Sequence, residues 1–327
     1  MNFRTEIKIE AERPPIMHYD SVMLLGSCFS NNVGAMLRDA MFDVVINPFG
    51  TIYNPFSIGN AVERLVFNRP VTTDDLFEVN GVWSCFDFHT LASNEVKSDA
   101  IAYMNSQISD AHRAFARAAT LIITLGTAIV YEYVSTGKVV NNCHRLPSSC
   151  FNRRFTSVDE ITEELNRIVA LLHNFNPELR IIFTISPVRH VADGMEQNLL
   201  SKSVLRVAVD SVIKQYPQKC QYFPAYEIMV DDLRDYRFYG ADMVHPSDVA
   251  IDYIWQMFKA RYFDQSTMIA VEKSERLTKR LAHRPMTENY DMISKFNRQT
   301  VEAIRRHQSE YPYLSNNARL NNILEKL

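Results

Sequence analysis

The chain has 327 residues, 46% of them hydrophobic, which is enough apolar material for the core of one large or two ordinary domains. Its 35 basic and 38 acidic residues leave a net charge of −3, so no global electrostatic case exists for binding nucleic acid or an anionic membrane. No run approaches the roughly 18 apolar residues of a membrane span, and no secretory h-region is visible. The five cysteines, at 28, 85, 143, 150 and 220, are odd in number and scattered, which argues for a reducing compartment, and a cytoplasmic location is the expectation.

In chain order, residues 21–25 read as a buried strand that stops at Gly26. A helix follows to about Met41, capped by Ser30 or Asn31, with Val33, Met36, Leu37 and Ala40 at helical spacing. A second strand at 43–46 ends in the turn Asn47-Pro48-Phe49-Gly50, and a helix runs from about Ser57 to Phe67. The Asn80–Gly81 pair inside 77–86 predicts a β-hairpin. A long amphipathic helix at 98–119 leads to a strand at 121–125, and a second hairpin is expected with its turn near Thr136–Gly137. A helix near 157–174, a strand at 180–185 stopped by Ser186–Pro187, a helix near 196–215, a short strand at 221–223 and a helix at 248–261 complete the pattern. Such alternation predicts an α/β fold, a three-layer α/β/α sandwich with a mostly parallel sheet whose ligand crevice lies at the carboxyl ends of the strands. Domain organisation is expected as one domain over 1–262, with hairpin insertions near 77–90 and 128–145, and a helical extension over 263–327 packed on the same domain. That extension carries Lys273, Arg276, Lys279, Arg280, His283 and Arg284 in one helical stretch, which reads as a solvated face.

Two motifs carry chemistry. LLGSCFS at 24–30 presents Ser27 and Cys28, two nucleophiles, where a strand gives way to a helix; exposed helix N–H groups and the helix dipole there favour a thiolate. DMVHPSD at 242–248 offers Asp242 and His245, an orienting carboxylate and a general base three residues apart. Folding could unite them as nucleophile, base and orienter. No metal-ligand spacing is present, Cys143 beside His144 reads as structural, and neither a metal nor a cofactor is expected.

The ordered set GSCFS at 26–30, NPFGTIYNP at 47–55, TLGTAIVYEY at 124–133, NNCHRLP at 141–147, SPVRH at 186–190 and DMVHP at 242–246 resembles the GSCFA family, a branch of the SGNH/GDSL hydrolase superfamily. The resemblance spans roughly residues 20–262. It implies an SGNH/flavodoxin-like fold, and laid without gaps it puts Cys28 at the nucleophile position and Ser27 where the superfamily has an aspartate. A shift of one residue makes Ser27 the nucleophile instead. The resemblance also implies oxyanion donors at Cys28 N–H and Gly50. The third donor, an asparagine in the superfamily, is replaced by Thr127, with Asn142 as a substitute from the neighbouring hairpin. Asn47, Arg189 and His190 fall at the sheet edge as substrate contacts. The expected function is acyl-ester hydrolysis through an acyl-enzyme, on a small-molecule or carbohydrate ester. Two alternatives stand beside it: acyl transfer from a thioester donor, and a non-catalytic binding module, the latter motivated by the altered third block. Self-association is left open.

Overall fold

The runs SVMLLG, TLIITL and RIIFTI are apolar on both faces, and strands of that kind are stable where helices cover both sides of a sheet. The computed structural model describes residues 5–283, 286 and 289–326. It builds these runs into the middle of a five-stranded sheet as β1 (Ser21–Gly26), β5 (Thr120–Leu125) and β8 (Arg180–Ile185), all but their first residues buried throughout in β1 and β8. With β2 (Asp43–Ile46) and β9 (Cys220–Phe223) at the flanks, the order is β2-β1-β5-β8-β9. The pairings β1 with β5, β5 with β8, and β8 with β9 are parallel, and Gly26 stands opposite Thr124. Chain progression reverses between β1 and β5, which is the switch point where sheets of this kind bind their ligands, at the carboxyl ends of the strands.

Two compact units share the chain. The first takes the segment up to Lys8, Ser21–Gly34 and Val45–Ile254. Within it, α2 (Pro55–Val66), α3 (Lys97–Arg117), α4 (Val158–Phe175) and α5 (Met195–Gln215) supply the helical layers. In α4 the Ser157–Glu160 capping box satisfies the first turn, and Ile161, Leu165, Ile168, Val169 and Leu172 form one buried stripe at helical spacing. Helix α1 (Cys28–Asp39) begins two residues before the expected Ser30 cap. The Ser27 carbonyl accepts from Ser30 N–H at 2.9 Å, while the Ser30 hydroxyl turns into the core to donate to Thr124 Oγ1 at 2.8 Å.

The first hairpin forms as expected, from β3 (Leu76–Val79) and β4 (Val82–Cys85), with Asn80 at φ 52° and Gly81 at φ 77°. The second also forms, with Tyr133 N–H on Lys138 O at 2.8 Å, Val140 N–H on Tyr131 O at 2.9 Å and Glu132 bridged to Val139; the opposite edge of β6 (Ile129–Tyr133) is taken by β7 (Phe151–Phe155). The turn at Thr136–Gly137 does close, with Gly137 N–H on Tyr133 O at 2.8 Å. Beyond Val140 the amides of Asn141 and Asn142 are drawn to Phe86 O, which ends this short return strand. A turn with α6 (Ala225–Glu227) follows β9.

The second unit takes Ile9–Asp20, Ala35–Val44 and the chain from Trp255 onward, so its boundary lies inside α7 (Asp248–Tyr262), earlier than the expected 262, and it recruits two early segments. Its further helices are α8 (Gln265–Ala282), α9 (Tyr290–Glu310) and α10 (Ala318–Lys326). Met41, Leu277, Ile304, Leu314 and Leu320 form its small core. The basic stretch behaves as a solvated face: Lys273 pairs with Glu310 and Arg276 with Glu272, while Arg284 lies outside the described residues. Among the described residues no helix is long and apolar enough to cross a membrane.

Buried polar contacts hold the early segments in this second unit. His18 Nε2 donates to Ala40 O and its Nδ1 accepts from Tyr313 Oη, both at 2.7 Å, and Ser274 Oγ lies 3.0 Å from His307 Nε2. Burial pulls His18 down to about 4, against the raising effect of the Ala40 carbonyl, and burial lowers His307 too. Both rings stay neutral in the fold where the unfolded chain takes up protons from about pH 6.5 downward. Stability is therefore complete above that pH and declines as pH falls toward 4, with His18 alone accounting for up to about 3 kcal/mol. Thermal melts between pH 7.5 and 4 are expected to show this decline, and His18→Asn, less stable at pH 7.5, is expected to show a shallower one.

Candidate active site

The floor of the site is set by how closely β1 approaches β5. Gly26 has φ +141°, and a Cβ placed on it would lie 2.2 Å from Thr124 O, so no larger residue fits. The approach lets Ser27 N–H donate to Thr124 O at 3.1 Å. Asn47 locks the same corner: its Oδ1 accepts from Gly26 N–H and its Nδ2 donates to Asn31 Oδ1, each at 2.8 Å. Expected as a substrate contact, Asn47 instead has both ends of its buried amide committed to the protein, and it staples the turn after β2 to the end of β1.

Of the two candidate nucleophiles, Ser27 is 1% exposed and its hydroxyl lies 3.4 Å from Phe29 N–H, the position of a helix cap. Cys28 is the first residue of α1 and only half-buried. Burial pushes its thiol up, against the lowering pull of its own N–H, the Lys202 charge and the Phe29 N–H. The resting group is therefore a thiol.

The DMVHP loop is preorganised. Asp242 Oδ2 meets His245 Nδ1 at 2.7 Å, and Oδ1 accepts from Val244 N–H at 2.9 Å and His245 N–H at 3.0 Å. These bonds, the His245 amide first, hold the Asp242 carboxyl down at about 2. The ring thus has a fixed orienter, yet both side chains are half open, at 52% and 50% exposure. Arg189 braces the loop, with its N–H on Val244 O, its Nη1 on Met243 O at 3.3 Å, and its guanidinium 3.7 Å above the Tyr239 ring. Asp242 and His245 are thus brought together, and among the described residues no hydrogen bond joins His245 to Cys28.

The backbone donors expected at Gly50 and Thr127 are otherwise occupied. Gly50 N–H donates to Asn47 O at 2.7 Å. Thr127 N–H donates to Tyr53 O at 3.0 Å, and its hydroxyl accepts from Ile129 N–H at 3.1 Å and meets Ser201 Oγ at 3.3 Å. Asn142 caps its own turn, its Oδ1 accepting from His144 N–H at 2.8 Å, which engages its oxygen and not its Nδ2 donor. His144 is buried with Nε2 on Cys85 O, a structural role. The amides of Cys28 and Phe29, which face the sulfur, are the donors this corner offers.

The order of the motif blocks now has a place in space, and the sequence model of the GSCFA family matches residues 21–258. The chain belongs to the GSCFA family. No curated protein matches it. Among solved structures it is similar to a carbohydrate esterase family 2 enzyme with a carbohydrate-binding domain from Corynascus thermopiles, at 10% identity and TM-score 0.38 over 82% of this chain and 69% of that one. It is also similar to a carbohydrate esterase family 3 protein from Talaromyces cellulolyticus, at 9% identity and TM-score 0.37 over 77% and 98%. An acetyl xylan esterase from the rumen bacterium Butyrivibrio proteoclasticus gives 11% identity and TM-score 0.39 over 76% and 64%.

This GSCFA chain also has site residues that were not expected. On α5, Asn198, Ser201 and Lys202 are all buried: Asn198 Oδ1 accepts from His190 N–H at 3.0 Å, Ser201 Oγ accepts from Ala128 N–H at 2.7 Å, and Lys202 Nζ donates to Gly126 O at 2.7 Å. Their signal was readable, because the buried stripe Leu205, Ala208, Val209 and Val212, continued one turn back, lands on these polar residues. His190 sits beside them with its ring 6.0 Å from Tyr53, drawn down to about 4 by burial and the Lys202 charge. Urea unfolding is expected to place Gly26→Ala on the order of 3 kcal/mol or more below the parent. Ser27→Ala is expected to lose about 1 kcal/mol as a lost cap and to leave Cys28 labelling by iodoacetamide unchanged.

Proposed function

We propose that this GSCFA protein is an acyl-ester hydrolase in which Cys28 is the nucleophile, His245 the general acid–base and Asp242 its orienter. The observation that carries this reading is the Asp242–His245 pair, held at 2.7 Å on the loop that the SPVRH strand end braces. An imidazole whose Nδ1 is fixed by a carboxylate presents Nε2 as a base, and a half-open loop leaves it room to close on a bound substrate.

In the proposed cycle His245 Nε2 takes the Cys28 proton as sulfur bonds to the ester carbonyl carbon. The Cys28 and Phe29 amides face the oxygen that gains charge. Collapse breaks the C–O ester bond, and His245 returns the proton to the departing alcohol. The same ring then deprotonates a water that attacks the thioester, releasing the acid and restoring the thiol. An acylated carbohydrate is the proposed substrate class; the exposed Tyr236, whose ring lies 5.2 Å from the Arg189 guanidinium, offers an apolar sugar-sized face near the loop.

A second reading, a binding module on the same fold, draws support from the unjoined thiol and its upward shift. Hydrolysis of p-nitrophenyl acetate and of an acetylated xylose separates the two. Under the hydrolase reading, Cys28→Ala and His245→Ala lose activity by about a thousandfold or more, Ser27→Ala stays within about tenfold, and mass spectrometry finds a trapped acetyl on Cys28. Acetyl on Ser27 would move the nucleophile by one residue. Absence of turnover and adduct from the parent and every variant, on both esters, would support the binding module.

A further inference from the structure

A buried amine without a carboxylate partner is expensive to fold, because an ammonium removed from water needs compensating charge. Lys202 is such a group. It is 1% exposed, its Nζ donates to Gly126 O at 2.7 Å, and among the described residues no carboxylate pairs with it. Gly126 directly follows β5, two residues beyond Thr124, and Thr124 is the residue against which the Cys28 corner is built. Thr124 stands opposite Gly26, its carbonyl accepts from Ser27 N–H, and its hydroxyl accepts from Ser30. The amine and the thiol therefore occupy the same strand edge, one reached from α5 and the other from α1.

We infer that Lys202 is the charge partner of Cys28, its ammonium held against the carboxyl end of β5 so that the thiolate forms beside a fixed positive charge. This deepens the reading of Cys28 as nucleophile and rests on it for its catalytic consequence. On ionisation near neutral pH the S–H bond breaks and the proton leaves to the base or to solvent, and Lys202, in the molecules where it is protonated, stabilises the anion left behind. The coupling runs both ways: the Lys202 charge pulls down a Cys28 thiol that burial pushes up, and Cys28 raises Lys202, whose amine burial nevertheless draws down to about 7, so the ammonium acts at and below neutral pH. The other groups facing this cluster are His190, kept neutral by burial and the Lys202 charge, and Asp193, which acts on His190 in the opposite sense. Lys202 is thus a positioning residue that acts on the nucleophile by charge.

Alkylation by iodoacetamide from pH 5 to 10, with mass spectrometry locating the adduct, reads the ionisation of Cys28 without any substrate. Lys202→Met, which removes the charge and keeps most of the volume, is expected to slow alkylation of Cys28 at pH 7 by about tenfold and to move its pH profile upward. Lys202→Arg is expected to stay close to the parent. A folded Lys202→Met protein with the parent profile would overturn the inference. A protein that alkylates as expected yet hydrolyses no ester would refute the hydrolase reading alone. If Lys202→Met does not fold, the coupling is read from the other side, by NMR titration of labelled lysine side chains in the parent and in Cys28→Ser. Part of the Lys202 titration is expected to follow that of the thiol and to vanish in Cys28→Ser. Superimposable Lys202 curves would overturn the inference.

Discussion

The contact between Gly26 and Thr124 is the constraint on which the site depends. A parallel sheet ordinarily separates neighbouring strands by about 4.8 Å, with side chains above and below the sheet. Here the end of β1 closes further on β5, so that Ser27 N–H reaches Thr124 O and α1 starts at once, with Cys28 as its first residue. Asn47 supplies the second bond to this corner, through Gly26 N–H. With the end of β1 held from both flanks, the start of α1 has little freedom, and the amides of Cys28 and Phe29 are aimed by the backbone and not by any side chain. That arrangement places helix-terminal donors at the topological switch between β1 and β5, the position where sheets of this order open a crevice.

Electrostatics at this corner are a contest between two effects of different size. A helix N-terminus favours an anion by roughly 0.3–1 kcal/mol when exposed. Burial of a thiolate costs more than that, and the net result is a Cys28 thiol pushed up. The helix alone therefore does not activate the cysteine. A base that takes the proton, a nearby cation that steadies the anion, or both, must supply the remainder. The molecule carries one candidate of each kind: an imidazole already oriented by Asp242 on an open loop, and an ammonium buried on α5.

How much of this was legible in the chain follows from the range of the interactions involved. β1, β5 and β8 were readable because a strand buried on both faces is written as an unbroken apolar run, and the first hairpin because Asn80–Gly81 meets the positive-φ demand of its turn. The order of the motif blocks located the crevice. The turn at Thr136–Gly137 was readable in the same way, but the second partner of β6 was not: β7 joins its other edge from residues 151–155, a pairing between segments separated by a long connection. The second unit escaped for the same reason, since its early segments join through His18 and Ala40 to residues beyond 255. Asn47, Gly50 and Thr127 lie at the expected edge, but position does not reveal whether a donor is already committed. Lys202 was legible in principle, as a charge on an apolar stripe, and was passed over because lysine on a helix is so often solvated.

The separation of His245 from Cys28 bears on how such a site would work. A dyad with 52% and 50% exposed side chains sits in high dielectric, where its charges are screened. Lys202, excluded from water, acts with much less screening. The buried group is therefore suited to a standing role, holding the thiolate's environment before substrate arrives. The exposed dyad is suited to an event, because its imidazole and Asp242 are held as one unit on a loop that Arg189 ties to the chain just after β8. Closure over a substrate would expel water from both, strengthening each interaction when charge develops on the acyl oxygen. On this argument the open loop is no defect of the site; it is the part that has to move, and the buried lysine is the part that must not.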